Sequence, residues 1–416
     1  MPTYRFAYPT IACLLLAAAS ASAHDNDNKD FVTRYKIKEI VPPQDPRCLQ
    51  GYQRVTYARR MNRSAEAVGY DSCYQETGDP SAPRLPGNRA FRWSRANGSL
   101  QLPALSADAV ETWARDINSS GTVVGWQAGA VDLRAPVWPA DAGVTEIAPT
   151  ICPEFGGVAI TSAESINQLG SIAFIDGFVD AAGNCNIHWK LKLVSGEVVV
   201  SPIIGASLTA VNDNNVMVGL SGTNAVKWSA AAGEVILFAG SSPPSALVRG
   251  QAWNINKHDA VVGVIEHYDS STCQTASEAM LWDADGTAHV LPLLHGDRLG
   301  VALAIDKHGT IVGYSQHAAT ADCNGYDAFG RHAVIWHKNR VRDLNKLIPD
   351  RYRDEIQLIQ ASSINEHGQI LARGIRPNEP LQSCPNFSFN PVTEELFYDT
   401  SLLCVNEYSF LLTPKD

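Results

Sequence analysis

Three histidines stand at the same position in three consecutive sequence repeats and are the first candidates for chemistry. His258, His308 and His367 each follow an Asn or Asp by two residues, in the segments INKHDAVVG, IDKHGTIVG and INEHGQILA. Imidazole nitrogens bind zinc when three or four of them converge on one ion. Equivalent hairpin tips in tandem repeats are expected to radiate apart, away from the central axis. We therefore predict no metal site and no cofactor.

Sequence signatures of common catalytic sites are absent from the chain. It contains no Gly-x-Ser-x-Gly elbow, no His-Glu-x-x-His, no Gly-rich phosphate loop followed by Lys and Ser or Thr, and no Cys-x-x-Cys. These are the patterns that identify hydrolases, metalloproteases, nucleotide-binding enzymes and redox proteins from sequence. We therefore assign no catalytic residue.

The cysteines are the second set of reactive side chains. One of the nine, Cys13, lies in the apolar N-terminal stretch. The other eight are Cys48, Cys73, Cys152, Cys185, Cys273, Cys323, Cys384 and Cys404. An even number of cysteines in an exported chain indicates a disulfide framework, although the sequence leaves many pairings open. Proximity along the repeats favours Cys48 with Cys73, Cys152 with Cys185, Cys273 with Cys323, and Cys384 with Cys404.

The N-terminus predicts export from the cytosol. Arg5 precedes an apolar stretch from Ile11 to Ala19, and the small residues Ala21, Ser22 and Ala23 follow. This is the order of a secretory signal peptide cleaved after Ala23. The apolar stretch is shorter than the roughly 20 residues of a membrane span. We predict a signal peptide over 1–23, a flexible acidic leader over 24–32, and a single domain over 33–416 of a secreted or periplasmic protein without a membrane span.

Composition limits the kinds of partner. The formal net charge is −10 at pH 7, and 45% of the residues are hydrophobic. A sizeable core is therefore expected. An acidic surface repels the phosphate backbone, so we predict no nucleic acid partner.

Seven copies of one nonapeptide organise the chain. They are MNRSAEAVG at 61–69, INSSGTVVG at 117–125, INQLGSIAF at 166–174, VNDNNVMVG at 211–219, INKHDAVVG at 255–263, IDKHGTIVG at 305–313 and INEHGQILA at 364–372. The second residue of each copy is an Asn or Asp, whose side chain can bind the backbone of a tight turn. These turn-opening residues are Asn62, Asn118, Asn167, Asn212, Asn256, Asp306 and Asn365. Three residues later comes Gly, Asn or Asp, which tolerate left-handed backbone, except for Ala65 in the first copy.

A second pattern recurs between the copies. A short strand ending in Trp lies at 90–93, 135–138, 225–228, 279–282 and 333–336, with 187–190 in its place in one repeat, and a further apolar strand follows each. Four short strands in a repeat of roughly 50 residues are typical of propeller blades. We predict an all-β fold, a seven-bladed β-propeller of four-stranded antiparallel blades. Tyr35–Ile40 resembles the strand that ends a repeat, and Tyr408–Leu412 resembles the Trp-ended strand that precedes it. We therefore predict that the C-terminal strand completes the N-terminal blade and closes the ring.

The nonapeptide, the Ala-x-x-Trp strand and the export signal together resemble the HAF-repeat extracellular proteins of bacteria. The resemblance runs from about Tyr35 to the C-terminus, and the tripeptide of the family name survives only as Arg89-Ala90-Phe91 or His332-Ala333-Val334. It implies a secreted repeat protein and assigns no activity and no catalytic residue.

In a propeller, the long connections that carry the eight cysteines emerge on one face. We predict a monomeric, non-catalytic binding or scaffold protein that presents disulfide-pinned loops on this face to a protein or polysaccharide partner. The alternative is an extracellular propeller hydrolase or lyase that acts on carbohydrate or lactone substrates. Two or three carboxylates or histidines converging at the mouth of the central channel would favour the enzyme.

Overall fold

The computed structural model describes residues 34–43, 53–74, 87–141, 143–153, 157–180, 184–241, 246–269, 274–317, 330–379, 382–383, 386–390, 395–399, 403–404 and 406–415. The signal peptide, the acidic leader, Cys48, Cys273, Cys323 and Cys384 lie outside these residues. Cys73 and Cys404 lie in strands.

Each nonapeptide forms the hairpin between two antiparallel strands, which we call the first and second strands of a sheet. The first strands are Gln53–Met61, Glu111–Ile117, Ser162–Ile166, Ala206–Val211, Ala246–Ile255, Leu299–Ile305 and Gln357–Ile364. The second strands are Ala67–Tyr74, Val123–Ala128, Ile172–Val179, Met217–Ser221, Val261–Asp269, Ile311–Gln316 and Ile370–Ile375.

Third and fourth strands extend each hairpin into a sheet. The third strands, which include the Trp-ended segments, are Arg89–Ser94, Pro136–Trp138, Cys185–Lys192, Asn224–Ser229, Gln274–Trp282, Arg331–His337 and Glu407–Pro414. The fourth strands are Gly98–Gln101, Thr145–Glu146, Val198–Ile204, Gly233–Phe238, Ala288–Val290, Arg340–Asp343 and Tyr35–Ile40.

Strands one to four pair antiparallel in that order within each sheet. A single parallel pair, Ser277 with Leu299, joins the fifth and sixth sheets into one eight-stranded sheet, and Leu133–Arg134 adds a short strand to the second. The all-β prediction and the four-stranded antiparallel sheets are confirmed.

Two kinds of element depart from the expected pattern. The apolar segment after Val341 leaves the fourth strand at Asp343, because the Asp343 side chain accepts a hydrogen bond from the backbone N–H of Asn345 and caps the 3-10 helix Leu344–Lys346. A second 3-10 helix follows at Asp350–Tyr352. In the connection before the last strand, Gln382–Ser383 pairs with Leu403–Cys404, and Asn386–Asn390 pairs with Glu395–Asp399.

The two ends of the described chain meet in one sheet. Tyr35–Ile40 pairs antiparallel with Glu407–Pro414, with Ile37 opposite Leu412, and the Lys415 backbone N–H donates to the Arg34 carbonyl over 2.9 Å. The predicted pairing between these two terminal strands is therefore present.

The core consists of apolar layers between neighbouring sheets. Trp336, on the third strand of the sixth sheet, packs with Val262 and Ala279 of the fifth sheet. Trp282, on the fifth, packs with Val218 and Ala225 of the fourth. Large aromatic side chains bury enough area to dominate such layers. The repeated Trp is therefore a packing residue between sheets.

Candidate functional site

Each first strand contains a β-bulge at the same distance from its turn. The strand register shifts between Ala58 and Arg60 in the first sheet, and at the equivalent position in the other six. The bulged residue lies three positions before the turn-opening residue. The seven are Arg59, Arg115, Glu164, Thr209, Trp253, Leu303 and Ser362. A bulge redirects a side chain that regular pleating would place on the other face.

The turn-opening residues hold their hairpins by accepting backbone hydrogen bonds. Asn212 Oδ1 accepts from the N–H of Asn214 over 3.1 Å and from that of Val216 over 3.0 Å. Asn215 between them has a left-handed φ of 59°, and Ala65, the exception in the sequence pattern, has the same φ. These hydrogen bonds therefore fix the backbone even where an alanine takes the left-handed position.

The same residues also join one hairpin to the next. In five cases the side-chain N–H group donates to the backbone carbonyl of the turn-opening residue in the next repeat, over 2.9 to 3.2 Å. The donor and acceptor residues are Asn62 and Asn118, Asn167 and Asn212, Asn212 and Asn256, Asn256 and Asp306, and Asn365 and Asn62. Six of the seven turn-opening residues, all except Asn118, line one cavity of ≈ 190 Å³, which we call the turn cavity. The starts of these six turns therefore lie around a common cavity and do not radiate apart as expected.

The three candidate histidines lie beyond this cavity. His258, His308 and His367 are exposed, and the backbone N–H of each donates to the side-chain oxygen of the turn-opening residue two positions earlier. Among the described residues, no group of three or more His, Cys, Asp or Glu side chains could hold a metal ion.

A second cavity, of ≈ 280 Å³, lies further along the first strands. Tyr57 is five residues before Asn62, which in an extended strand corresponds to roughly 17 Å. We call this cavity the arginine–aromatic pocket, and define it by Tyr57, Arg59, Trp253, Glu266, Tyr314 and Arg331. Arg60 lines both cavities. The arginine–aromatic pocket is toward the end of the sheets where the second strands end and the third strands begin, because the hairpin turns occupy the other end.

Positive charge dominates the lining of the arginine–aromatic pocket. Arg59, Arg60 and Arg331 line it, against one carboxylate, Glu266. Arg249 already binds Glu266, with its Nε 3.0 Å from Oε2. Burial lowers the pKa of Arg60, although the charge of Asp116 opposes this effect. The pocket is therefore a cationic site in an acidic protein.

Two buried donors in this pocket lack a hydrogen-bond partner among the described residues. They are Nε of Arg59 and the indole Nε1 of Trp253. Both residues occupy bulge positions, on the first strands of the first and fifth sheets. Unsatisfied buried donors are rare in folded proteins because each one costs about 1–3 kcal/mol. Acceptor atoms on a bound ligand would satisfy them.

Aromatic rings continue from the pocket across the first two sheets. The ring centroids of Tyr57 and Tyr70 are 5.3 Å apart, those of Tyr70 and Trp113 are 3.8 Å apart, and those of Trp113 and Trp126 are 5.0 Å apart. Burial raises the pKa of the Tyr70 hydroxyl to about 12, so this group stays neutral at physiological pH. The row provides neutral aromatic surface beside the cationic pocket.

Three carboxylates on the sheets are paired with arginines. Arg115 Nε lies 2.6 Å from Glu164 Oε2, and Arg373 Nη1 lies 2.7 Å from Glu407 Oε2. Glu266, the one carboxylate that lines the arginine–aromatic pocket, is bound to Arg249.

One predicted disulfide lies within the described residues. Cys152 and Cys185 are bonded, with their Cα atoms 5.7 Å apart. Beside them, Lys190 Nζ lies 2.7 Å from Asp176 Oδ2, and both side chains are buried. Asp176 also accepts from the backbone N–H of Thr150 over 2.9 Å. The disulfide and the ion pair together attach the connection before the third sheet to that sheet.

No family model matches the chain, and no curated protein matches it, so the resemblance to HAF-repeat proteins stays a prediction. Solved structures are similar to it at low identity. The virginiamycin B lyase from Staphylococcus aureus is 11% identical with a TM-score of 0.42, over 81% of this chain and 95% of the lyase. The β-propeller domain of the Trilobed protease from Pyrococcus furiosus is 10% identical with a TM-score of 0.47, over 79% of this chain and 91% of that domain.

A third similar structure, the acylaminoacyl peptidase from Pyrococcus horikoshii, is 11% identical with a TM-score of 0.48, over 81% of this chain and 56% of the peptidase. Because all three TM-scores are below 0.5, we draw no conclusion about this chain from these similarities.

Proposed function

We propose that the seven four-stranded sheets close into a ring as the blades of a β-propeller. Neighbouring first strands contact each other along the series, and the last of them, Gln357–Ile364, also contacts the first, Gln53–Met61. The hydrogen bond from Asn365 Nδ2 to the Asn62 carbonyl links the last turn to the first. Both contacts are those that a closed ring needs, and they support seven blades around one channel.

The proposed location is the periplasm or the extracellular medium. The N-terminal sequence supports it, as does the Cys152–Cys185 disulfide, because disulfides persist mainly in oxidising compartments. In the described part of the chain, no helix is long and apolar enough to cross a membrane.

The proposed function is ligand binding without catalysis, at the arginine–aromatic pocket. The observation that carries this proposal is the pair of buried, unpartnered donors on Arg59 and Trp253. The partner is a protein or polysaccharide segment whose acceptor atoms meet these donors. The ion pair between Arg249 and Glu266, the one carboxylate that lines this pocket, supports binding over hydrolysis or elimination, both of which need a group free to transfer a proton.

A binding screen with the purified 24–416 chain tests this function. The chain is screened, with its disulfides intact, against arrays of cell-wall glycans and secreted proteins, beside Trp253→Ala and a control variant in the turn cavity, Lys257→Ala. We expect binding that Trp253→Ala abolishes and Lys257→Ala preserves.

Incubation of the same preparations with carbohydrate and lactone substrates tests the alternative. Product formation by the wild-type chain would establish an enzyme and contradict the proposed function. Binding that both variants retain would place the ligand site elsewhere.

A further inference from the structure

We infer, on the basis of the proposed function, that the arginine–aromatic pocket binds a carboxylated sugar, the uronate unit of an acidic polysaccharide. Three features of the pocket select this ligand: its charge, its two unpartnered donors and its apolar wall.

Charge selects an anion. The pocket places three guanidinium groups around one carboxylate that Arg249 already binds, within a chain of net charge −10. A cationic pocket on an acidic protein attracts anions locally while the rest of the surface repels them. Guanidinium groups match the geometry of a carboxylate with paired N–H donors. The expected ligand group is therefore an anion with oxygen acceptors.

The two donors indicate where such oxygens lie. Arg59 Nε and Trp253 Nε1 both belong to side chains that line this cavity, and both atoms are buried. A carboxylate oxygen can accept from Arg59 in a charge-assisted hydrogen bond, while a hydroxyl or ring oxygen accepts from the neutral indole. A sugar acid carries both kinds of acceptor on one ring.

The remaining walls favour a ring over a compact ion. Val301 and Leu303 line the pocket with aliphatic surface, beside the indole of Trp253. Arg331 already covers the Tyr314 ring, 4.1 Å from its centroid, and Arg373 covers the Tyr57 ring, 4.8 Å from its centroid. A phosphate or sulfate ion has no apolar face for such walls, whereas a pyranose has C–H faces. The cavity of ≈ 280 Å³ is near the lower size limit of small-ligand sites, which suits a sugar unit rather than a folded partner.

Calorimetric titration with defined oligosaccharides tests the inference. The probes are tetragalacturonate, its fully methyl-esterified form, which is neutral, and inorganic phosphate. We expect the wild-type 24–416 chain to bind tetragalacturonate, with an affinity that falls as salt is raised, and to bind the ester at least about tenfold more weakly because the charged hydrogen bond is lost.

Three variants assign the contacts. Arg59→Gln is expected to weaken tetragalacturonate binding by about 10- to 100-fold, and Trp253→Phe, which keeps a ring but removes the donor, by about 3- to 10-fold. The matched control Arg63→Gln removes a guanidinium at the turn cavity and should leave binding unchanged. Thermal melts confirm that each variant is folded, and Trp253→Phe keeps the test valid if Arg59→Gln is unstable.

The outcomes separate the inference from the proposed function. Equal affinity for the ester, or full competition by phosphate, would overturn the uronate assignment. Failure of tetragalacturonate, alongside Trp253-dependent binding of another glycan or protein in the screen, would also overturn it and leave the proposed function intact. Absence of any Trp253-dependent binding in the screen would overturn both.

Discussion

The side-chain oxygen at each turn-opening position accepts hydrogen bonds from its own hairpin, as Asn256 Oδ1 does from the Ala260 N–H. At five of the seven positions the side-chain N–H group also donates to the next repeat, as Asn256 does to the Asp306 carbonyl. Asp306 performs only the first role, because a carboxylate has no N–H to donate. The junction from the sixth to the seventh repeat is instead linked by an ion pair between Lys307 and Glu366, with Nζ 2.7 Å from Oε2.

This difference predicts that Asp306→Asn stabilises the protein. The amide keeps the acceptor for the His308 and Thr310 N–H groups and adds a donor toward the Asn365 carbonyl. A buried hydrogen bond contributes about 0.5–1.5 kcal/mol, so the free energy of unfolding in urea should rise by about that amount.

The reciprocal change, Asn212→Asp, provides the control. It removes the donor to the Asn256 carbonyl and to the Asp259 carboxylate and places two carboxylates side by side, so it should lower the free energy of unfolding by about 1 kcal/mol or more. Equal and unchanged denaturation midpoints for both variants would show that these side-chain bonds between repeats contribute nothing to stability.

The turn-opening residues could be identified from sequence, whereas the pocket residues could not. An Asn followed by a left-handed residue has a local signature, because the hydrogen bonds that its side-chain oxygen accepts come from residues at most four positions away. Arg59 and Trp253 are aimed by a bulge, which depends on how two strands pair, and the bulged position varies in type from Arg to Leu. The sequence did offer one signal, since each bulged residue lies three positions before a turn-opening residue. A search for repeats misses this position because its residue type differs from one repeat to the next.

At the scale of strands, the last residue of each nonapeptide pairs with the residue just before the bulge. Gly263 pairs with Ala252, just before the bulged Trp253, and a Cβ built on it would lie 2.0 Å from the Gln251 carbonyl oxygen. Four other nonapeptide copies have the same contact, at Gly69, Gly125, Gly219 and Gly313. In these five sheets close backbone approach, and not a left-handed φ, explains the glycine, whereas the third and seventh sheets form the bulge opposite Phe174 and Ala372.

Gly263→Ala should lower the free energy of unfolding by about 1–3 kcal/mol, because the strands must separate to admit the methyl group. The same separation should move Trp253 and weaken ligand binding at the pocket. Thermal and urea denaturation measure the loss of unfolding free energy, and the change in indole fluorescence measures the displacement of Trp253. Gly143→Ala is the control, since nothing lies within 4 Å of its Cβ position. Wild-type stability of Gly263→Ala would mean that the bulge adjusts without cost.

The strands of the sheets could be predicted because alternating apolar residues and turn residues can be recognised within a short stretch of sequence. The elements that sequence reasoning missed lie where these features are weak. The short paired strands Asn386–Asn390 and Glu395–Asp399 lie in a connection where no repeat predicted structure. The strand ends at Asp343 because the Asp343 side chain caps the following 3-10 helix. The sequence predicted a longer strand because Leu344 and Leu347 are apolar.

At the scale of the whole molecule, one sheet is assembled from both ends of the chain. Tyr35 and Ile40 of the N-terminal strand are 0% and 1% exposed, and they pack in different core layers, Tyr35 with Phe410 and Ile40 with Leu411. Fully burying each such side chain contributes about 1.5–3 kcal/mol. The N-terminal strand therefore stabilises both sides of the sheet that joins the termini.

A chain that begins at residue 44, and so lacks Tyr35–Ile40, should lose about 3–6 kcal/mol of unfolding free energy relative to a chain that begins at residue 34. Comparing these two truncations isolates the strand, because the shorter one removes only it and the few residues beside it. Loss of the strand also exposes the backbone groups of Glu407–Pro414, so the shorter chain should aggregate more readily in light scattering. If the two chains unfold at the same urea concentration and stay equally soluble, the terminal strands do not hold the ring together, and the proposal of a closed seven-bladed propeller loses its main physical support.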